Sequence, residues 1–372
     1  MHSLLLQLLL LEELASAAAR TIVTSNPPAA PGSFVGAAFD TAGRSQSSSA
    51  GLLQLNPTTA KITALAADPD TYGYLGAAFD AAAGAHYFSD GASVAKYEYA
   101  SGNWSLGEDY LLDSRKCPAG EFCFGEFHWS AKRQGILAVA LDWPTSGAAA
   151  LVLVSPTNWS TGQFGTYWLR TTMVMPLSGV DSYIEGESEF DDATDTFFLT
   201  REVVAVANSS SSSSSSSVGG AGERKYAVHA FSLAQQTQRV LVPEYAPTPF
   251  VMLPAPYGRL LGFNANEADL QKGGSALVQV DLTTGKLYPF FSYPVRFAGL
   301  PADHTFAVDP SNGGKAVVTC FDLQMPASNP VLYNIDLLQR NVSAPRVLEH
   351  VVRYQRYFAG AGHGVSRKNR SR

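Results

Sequence analysis

Alternating apolar and polar runs, polar turns that follow them, and frequent glycine and proline predict an all-β chain folded as a β-propeller of about six four-stranded blades. Six runs share one pattern, in which an alternating strand ends in a polar turn and the chain then re-enters an apolar residue. Period-2 alternation followed by Thr-Gly, Ser-Gly or Asn-Pro is typical of antiparallel hairpins. The runs lie at residues 52–62, 94–104, 151–159, 226–233, 277–287 and 331–337.

A second motif recurs before these runs, an apolar stretch closed by an aromatic residue and then a small or acidic one. Its copies end at Phe39-Asp40, Phe79-Asp80, Trp129-Ser130 and Phe190-Asp191. A unit of about four short strands cannot bury both faces of its sheet alone, whereas radial repetition buries each sheet between its neighbours. Residues 105–125 and 160–185 contain strand-like pieces outside the six copies, so seven blades are the alternative. A segment at 347–354 is the candidate for pairing back to close the ring.

The composition excludes several classes of protein. Of the 372 residues, 46% are hydrophobic and only 16% are charged, and the chain has 32 glycines and 21 prolines. This mix fits many short strands joined by tight turns. The net charge of −6 excludes general binding to a nucleic-acid backbone, which needs a basic face. No segment is apolar and long enough for a membrane span.

Three segments stand apart from the propeller domain predicted at 21–360. Residues 1–20 combine an apolar run with small residues, which predicts a signal peptide and a secreted or lumenal protein. The alternatives are an amphipathic N-terminal helix or a wrongly assigned translation start. Residues 208–222 form a serine-rich insertion, and 361–372 a flexible basic tail. Asn-x-Ser triplets, the acceptors for glycans in a secreted glycoprotein, occur at Asn103, Asn158, Asn208 and Asn341.

The cysteines allow one disulfide. Cys117 and Cys123 bracket a short loop and would pair in an oxidising compartment, with two reduced thiols as the alternative. Cys320 follows Ala-Val-Val-Thr and is predicted to lie in a buried strand.

Acidic residues and one histidine mark a candidate site at the mouth of the central channel. The third and fourth units place Glu126 and His128, and then Glu187 and Glu189, at the positions four and two residues before the motif ends. Positions two apart share one face of a strand. Such a cluster offers ligands for a divalent cation, calcium or magnesium, or carboxylates for acid–base catalysis. The alternative is a set of solvated loop residues or surface salt bridges.

Other residues are candidates for ligand contact in the loops between units. Asp303 and His304 precede the sixth inner strand and could reach the same mouth. Aspartates at the motif ends (Asp40, Asp80, Asp191 and Asp309) are expected to cap turns by accepting backbone N–H bonds. The exposed loop aromatics expected to contact a ligand, or else to pack between blades, are Tyr72, Phe122, Tyr183 and Tyr245.

These repeats resemble the six-bladed propeller superfamily, and distantly the senescence-marker and gluconolactonase family, over most of residues 32–360. In that family a glutamate before a tryptophan-containing inner strand binds the metal. The resemblance gives this role to Glu126, which precedes Trp129 with a spacing one residue shorter.

The sequence supports two functions. It contains no nucleophile elbow, P-loop, zinc-protease motif or dinucleotide fingerprint. The first hypothesis is therefore a non-catalytic binding module for a protein or glycan ligand. The alternative is a metal-dependent hydrolase or lactonase of the gluconolactonase kind, and a structural matrix component is a third possibility.

Overall fold

The computed structural model is all-β in the residues that it describes, and these contain no helix. The predicted signal peptide, the serine-rich insertion and Cys117 and Cys123 lie outside them. Within the same residues no helix has the length and hydropathy that crossing a membrane requires. The described residues are 33–39, 50–67, 76–80, 82–89, 94–98, 101, 104–108, 124–140, 149–156, 167–177, 188–203, 225–245, 251–255, 259–264, 275–293, 305–309, 315–320, 331–348 and 353–361.

Two sheets hold the N-terminal strands. Sheet A has the order β25-β1-β2-β3, with β1 (Ser33–Phe39), β2 (Ala50–Leu55), β3 (Ile62–Ala67) and β25 (Arg353–Ala361). Sheet B has eight strands in two antiparallel halves. Half B1 holds β4 (Gly76–Asp80), β5 (Ala85–Ser89), β6 (Val94–Glu98) and β7 (Trp104–Glu108). Half B2 holds β8 (Phe124–Ser130), β9 (Gly135–Ala140), β10 (Ala150–Pro156) and β11 (Tyr167–Pro176), and the outer strands β7 and β11 join the halves by a short parallel pairing.

Three further sheets hold the remaining strands. Sheet C contains β12 (Ser188–Asp191), β13 (Thr196–Val203), β14 (Lys225–Ser232) and β15 (Thr237–Tyr245). Sheet D contains β16 (Val251–Ala255), β17 (Arg259–Asn264), β18 (Ser275–Val280) and β19 (Leu287–Tyr293). Sheet E contains β20 (Thr305–Asp309), β21 (Lys315–Cys320), β22 (Val331–Asp336), β23 (Asn341–Val342) and β24 (Arg346–Val347).

The six alternating runs of the sequence all form the third strand of their sheet or half-sheet. They correspond to β2, β6, β10, β14, β18 and β22. The strand-like pieces at 105–125 and 160–185 include the outer strands β7 and β11, so both belong to sheet B. Cys320 ends β21, in a strand as predicted, and pairs with Val331.

The hairpin turns share one construction. The carboxylate of Asp281 accepts the backbone N–H groups of Thr283 and Thr284 at 2.8 Å, and four residues after the aspartate Gly285 is left-handed with φ of +71°. Asp80 and Asp191 also accept backbone N–H groups of their turns, which confirms the predicted capping role for these two residues. Asp40 and the residues that follow Asp309 lie outside the described residues. Left-handed residues stand at the same position of the turns at Ala60, Gly84, Gln134, Asp195, Gln236 and Arg340.

The outer strands β3, β11, β15 and β19 each contain an irregularity where they pair with the third strand. In β2, β14 and β18 the break falls three residues before the residue that caps the next turn, at Leu52/Leu53, Val228/His229 and Leu277/Val278. In β10 it falls at Leu151/Val152. Pro289 lies at the break in β19, and Pro243 at a second break in β15. Proline lacks the N–H that an inner strand needs, and a bulge twists an edge away from further pairing. The repeat therefore extends beyond sequence similarity, because the same irregularity in backbone pairing recurs in the outer strands.

The core lies between the sheets. Every residue of β9 is buried, because alternate side chains of this strand face different sheets. Ile136 and Ala138 pack with Tyr87 of half B1, whereas Leu137 and Val139 pack with Phe197 of sheet C. Each fully buried side chain of this size contributes about 1.5–3 kcal/mol. Stability therefore depends on neighbouring sheets being in place on both sides.

The same arrangement continues beyond sheet C. Phe198 and Val228 of sheet C pack with Leu260 and Val278 of sheet D. Leu332 of sheet E packs with residues of sheet A such as Phe34 and Leu55. Asn334 also donates a hydrogen bond to the Pro57 carbonyl across this interface at 2.9 Å.

The first strands of the sheets contact one another in a closed order. β4 contacts β8, β8 contacts β12, β12 contacts β16, β16 contacts β20, β20 contacts β25, and β25 contacts β4. The C-terminal strand β25 pairs antiparallel with β1, with Val35 opposite Phe358 and Ala38 opposite Gln355. The chain end therefore pairs back onto the first sheet, through Arg353–Ala361 and mostly beyond the predicted segment at 347–354.

This closure corrects one sequence comparison. The copies that end at Phe39-Asp40 and Phe79-Asp80 are identical GAAFD segments. Residues 36–39 lie in β1, the second strand of sheet A, whereas residues 76–80 form β4, the first strand of half B1. The C-terminal β25 occupies the first position in sheet A. The copies that end at Phe39-Asp40 and Phe79-Asp80 are consequently not equivalent in the repeat, and the 40 residues between them do not measure one repeat.

Candidate functional site

The candidate site lies where β8 meets β12, the first strands of half B2 and sheet C. From Phe127 to Ser130, the side chains of β8 alternate between two neighbouring sheets. Phe127 packs in the apolar cluster shared with half B1, and Trp129 stacks on Tyr87 with ring centroids 5.2 Å apart. His128 and Ser130 face the other way and contact sheet C. Among Phe127 to Ser130, the polar side chains therefore face sheet C and the aromatic side chains of Phe127 and Trp129 face half B1.

His128 and Ser188 form the closest polar contact between the two strands. The Nε2 atom of His128 lies 2.6 Å from the Ser188 hydroxyl oxygen, a short hydrogen bond. Ser188 is the first residue of β12 and is 5% exposed. The ring of Phe197 makes a T-shaped contact with the imidazole, with the ring centroids 5.6 Å apart. The histidine ring is therefore held by a polar contact on one nitrogen and by the aromatic contact with Phe197.

The other ring nitrogen faces a carboxylate. Nδ1 of His128 lies 3.8 Å from Oε1 of Glu189, and the same oxygen accepts the backbone N–H of Phe190 at 2.9 Å. The side chains of His128 and Glu189 remain 18% and 12% exposed, so part of the cluster is open to solvent. Burial lowers the pKa of His128 to about 4, so the imidazole is neutral at pH 7. We call His128, Ser188 and Glu189 the inner polar cluster.

A second polar contact joins the same two sheets beside the inner polar cluster. Ser130 donates to Asp192 at 2.9 Å. Arg133, in the β8–β9 turn, binds Asp195 through both terminal guanidinium nitrogens. The hydrogen bond from Arg133 lowers the pKa of Asp195, and Lys132 lies 3.7 Å from the same carboxylate. This ion pair holds the β8–β9 turn against the β12–β13 turn.

The structure brings together part of the predicted metal site. His128 and Glu189 are neighbours, as the comparison of units implied. Glu187 lies outside the described residues, as does the side chain of Glu126. A register break between Gly125 and His128 interrupts β8, so the period-2 relation between positions 126 and 128 does not hold there. Among the described residues, no group of three or more His, Cys, Asp or Glu is arranged to hold a metal ion.

Most of the residues predicted to contact a ligand from the loops lie outside the described residues. Tyr72, Phe122, Tyr183, Asp303 and His304 fall outside the described residues. Tyr245 does not lie in a loop, because it ends the outer strand β15 and pairs with Tyr226.

Ser188 is the member of the inner polar cluster that the sequence comparison missed. That comparison considered only the positions two and four residues before each motif end, and Ser188 stands three before Asp191. A lone serine at the start of a strand carries no sequence signal of its own. Its partner in the neighbouring sheet lies 60 residues away in the chain.

A solved structure shares the fold. A TolB-like protein from Agrobacterium tumefaciens aligns with a TM-score of 0.50 at 10% identity, over 87% of this chain and 91% of that one. The periplasmic gluconolactonase PpgL of Pseudomonas aeruginosa aligns with a TM-score of 0.45 at 10% identity, over 89% and 99%. No protein-family model and no curated protein matches the sequence. At such identities the likeness concerns the fold alone, and the chain is an all-β protein of the propeller type.

Proposed function

We propose that this chain is a secreted or lumenal six-bladed propeller that binds a hydroxyl-rich ligand of the glycan type at the inner polar cluster. The observation that carries the proposal is the meeting of His128, Ser188 and Glu189, partly open to solvent, between two sheets whose other contacts include a large apolar cluster. The apolar run at residues 4–11 supports placement in the secretory pathway.

The closed order of contacts among first strands supports six blades. Half-sheets B1 and B2 each have four strands and separate first strands, so they count as two blades joined at their outer edge. Sheets A, C, D and E supply the other four. A blade buried on both faces matches the alternating burial of β9.

The chemistry of the inner polar cluster favours hydroxyl groups as ligands. The carboxylate only accepts hydrogen bonds, the serine hydroxyl both donates and accepts, and a neutral imidazole has one nitrogen of each kind. The 3.8 Å between Nδ1 and Oε1 is too long for a direct hydrogen bond, yet one hydroxyl oxygen fits within bonding distance of both atoms. A sugar presents several such hydroxyls on a rigid ring.

Binding to a glycan array, followed by calorimetric titration with the best saccharide, tests the proposal. Glu189→Gln keeps the shape of the side chain but removes its charge, and we expect at least about tenfold weaker binding, because a hydrogen bond to a charged group contributes about 1.5–3 kcal/mol. The matched control is Ser232→Ala in the same sheet, where the hydroxyl accepts the Gln235 N–H at 3.4 Å. Absence of saccharide binding, or binding that Glu189→Gln leaves unchanged, contradicts the proposal and favours a protein ligand.

The metal-dependent hydrolase is the second candidate, because His128 and Glu189 are neighbours in space. It requires a calcium or magnesium ion, with Glu126 and Glu187 completing the ligands. Metal analysis of the purified protein separates the two candidates. A stoichiometric divalent ion that is lost in a Glu126→Ala, Glu187→Ala double variant favours the hydrolase. A metal-free protein whose stability is unchanged by chelator favours the binding propeller.

A further inference from the structure

The contact between Ser188 and His128 has the geometry of an activated nucleophile. A serine hydroxyl becomes nucleophilic when a neutral base accepts its proton over a short hydrogen bond, and a third group orients the base. The 2.6 Å between the Ser188 oxygen and Nε2 of His128 meets the first condition. We propose that Ser188 is a nucleophile, with His128 as its general base, and that the inner polar cluster hydrolyses carboxylic esters.

Glu189 is a positioning residue in this arrangement. Its carboxylate lies on the Nδ1 side of the imidazole, so it favours the tautomer with the proton on Nδ1 and the lone pair on Nε2 toward Ser188. The Glu189 carboxylate also stabilises the imidazolium that forms during reaction, because opposite charges attract. The T-shaped contact with Phe197 limits rotation of the ring. The lowered pKa of His128 keeps the base unprotonated at neutral pH.

The reaction has two balanced halves. In the first, the Ser188 oxygen bonds to the ester carbonyl carbon and passes its proton to His128 Nε2. The ester C–O bond then breaks, and the proton moves from His128 to the departing alcohol oxygen. In the second half, water attacks the acyl carbon while His128 accepts one water proton. The bond from carbon to the serine oxygen then breaks, the proton returns to Ser188, and a carboxylic acid leaves.

The substrate class follows from the binding proposal, on which this inference rests. A ligand rich in hydroxyls held at the inner polar cluster places one of its oxygens beside Ser188. An acyl group on that oxygen is then the reacting ester. An alcohol is a better leaving group than an amine, so esters react in preference to amides. The expected substrates are O-acyl esters of polyhydroxylated compounds.

Labelling of the wild-type chain is the first test, since it requires no variant to fold. A fluorophosphonate probe should modify Ser188, as located by peptide mass spectrometry, and acid below about pH 4 should slow the labelling. Hydrolysis of 4-nitrophenyl acetate should fall at least about a thousandfold in Ser188→Ala, as when other serine nucleophiles are removed. Ser232→Ala is the matched control and should keep the wild-type rate. Label on a different residue, or equal rates in wild type and Ser188→Ala, overturns the inference.

Two further measurements are needed. One distinguishes a positioning role of Glu189 from a structural role, and the other distinguishes catalysis from ligand binding. Glu189→Gln should lower kcat and move the acid limb of kcat/KM to lower pH, because His128 loses the carboxylate that favours its protonated form. A purely structural role leaves that limb in place and overturns the assignment of Glu189. Saccharide binding without labelling or hydrolysis overturns the assignment of Ser188 as a nucleophile and still supports the proposal that the propeller binds a saccharide. Labelling at Ser188 without saccharide binding supports the assignment of Ser188 as a nucleophile and contradicts the proposal of a saccharide ligand.

Discussion

A methyl group added at Gly285 should weaken the packing between sheets C and D. It ends the turn between β18 and β19 with φ of +71°, and its N–H bonds the Asp281 carbonyl at 2.8 Å. A Cβ atom added there would overlap the carbonyl oxygen of Leu241 in sheet C and lie 2.8 Å from the carbonyl carbon. These are backbone atoms of β15 and cannot rotate aside. Arg239 strengthens the same contact by donating to the carbonyls of Leu282 and Thr283.

Gly84 provides a matched control. It has nearly the same backbone, with φ of +62°, but an added Cβ would meet nothing within 4 Å. Gly84→Ala therefore carries only the cost of a left-handed alanine, about 1–2 kcal/mol. Gly285→Ala carries that cost and the cost of overpacking, which is about 1–3 kcal/mol more. We expect a total loss of about 2–5 kcal/mol.

Equilibrium urea denaturation, followed by tryptophan fluorescence and far-ultraviolet circular dichroism, measures the difference. The free energy of unfolding should fall more in Gly285→Ala than in Gly84→Ala by at least about 1 kcal/mol. Equal losses in the two variants would mean that the close approach of sheets C and D is absent. A larger loss in Gly84→Ala would refute the reasoning altogether.

Two other predictions concern buried charge. Burial lowers the pKa of His86 to about 3 and that of His229 to about 4, the latter with help from Arg201. Since the unfolded chain takes up protons below about pH 6.5 and the folded chain does not, stability should fall from pH 6.5 toward 4, by up to about 1.4 kcal/mol per pH unit for each histidine. Urea titrations at pH 7.5, 6.5 and 5.5 check this, and a flat profile would contradict it. Arg133→Leu removes the paired guanidinium contact from the Asp195 carboxylate, 4% exposed, and leaves the more distant Lys132 beside it, so it should cost about 2–4 kcal/mol. Lys132→Ala, at a side chain 60% exposed, should cost under about 1 kcal/mol. Equal losses in urea denaturation would contradict this.

The strands and turns were predictable from sequence because their causes are local. Alternation of apolar residues places one face in the core, as in the six runs that became third strands. The aspartate caps were predictable for the same reason, since Asp80 and Asp191 bond N–H groups only two or three residues ahead. Comparison of units also brought His128 and Glu189 into one candidate site, because equivalent strands of adjacent sheets are neighbours.

Ring closure and the composition of the site were decided by tertiary structure. The sequence by itself determined that short amphipathic strands and tight turns would form repeated antiparallel sheets. It did not contain the pairing of β25 with β1, because that pairing joins segments more than 300 residues apart, and GAAFD is equally suited to a first or a second strand. The contact of Ser188 with His128 likewise exists only because two sheets pack face to face. Interactions within a few residues are encoded in local pattern, whereas interactions across sheets depend on which surfaces the whole chain brings together.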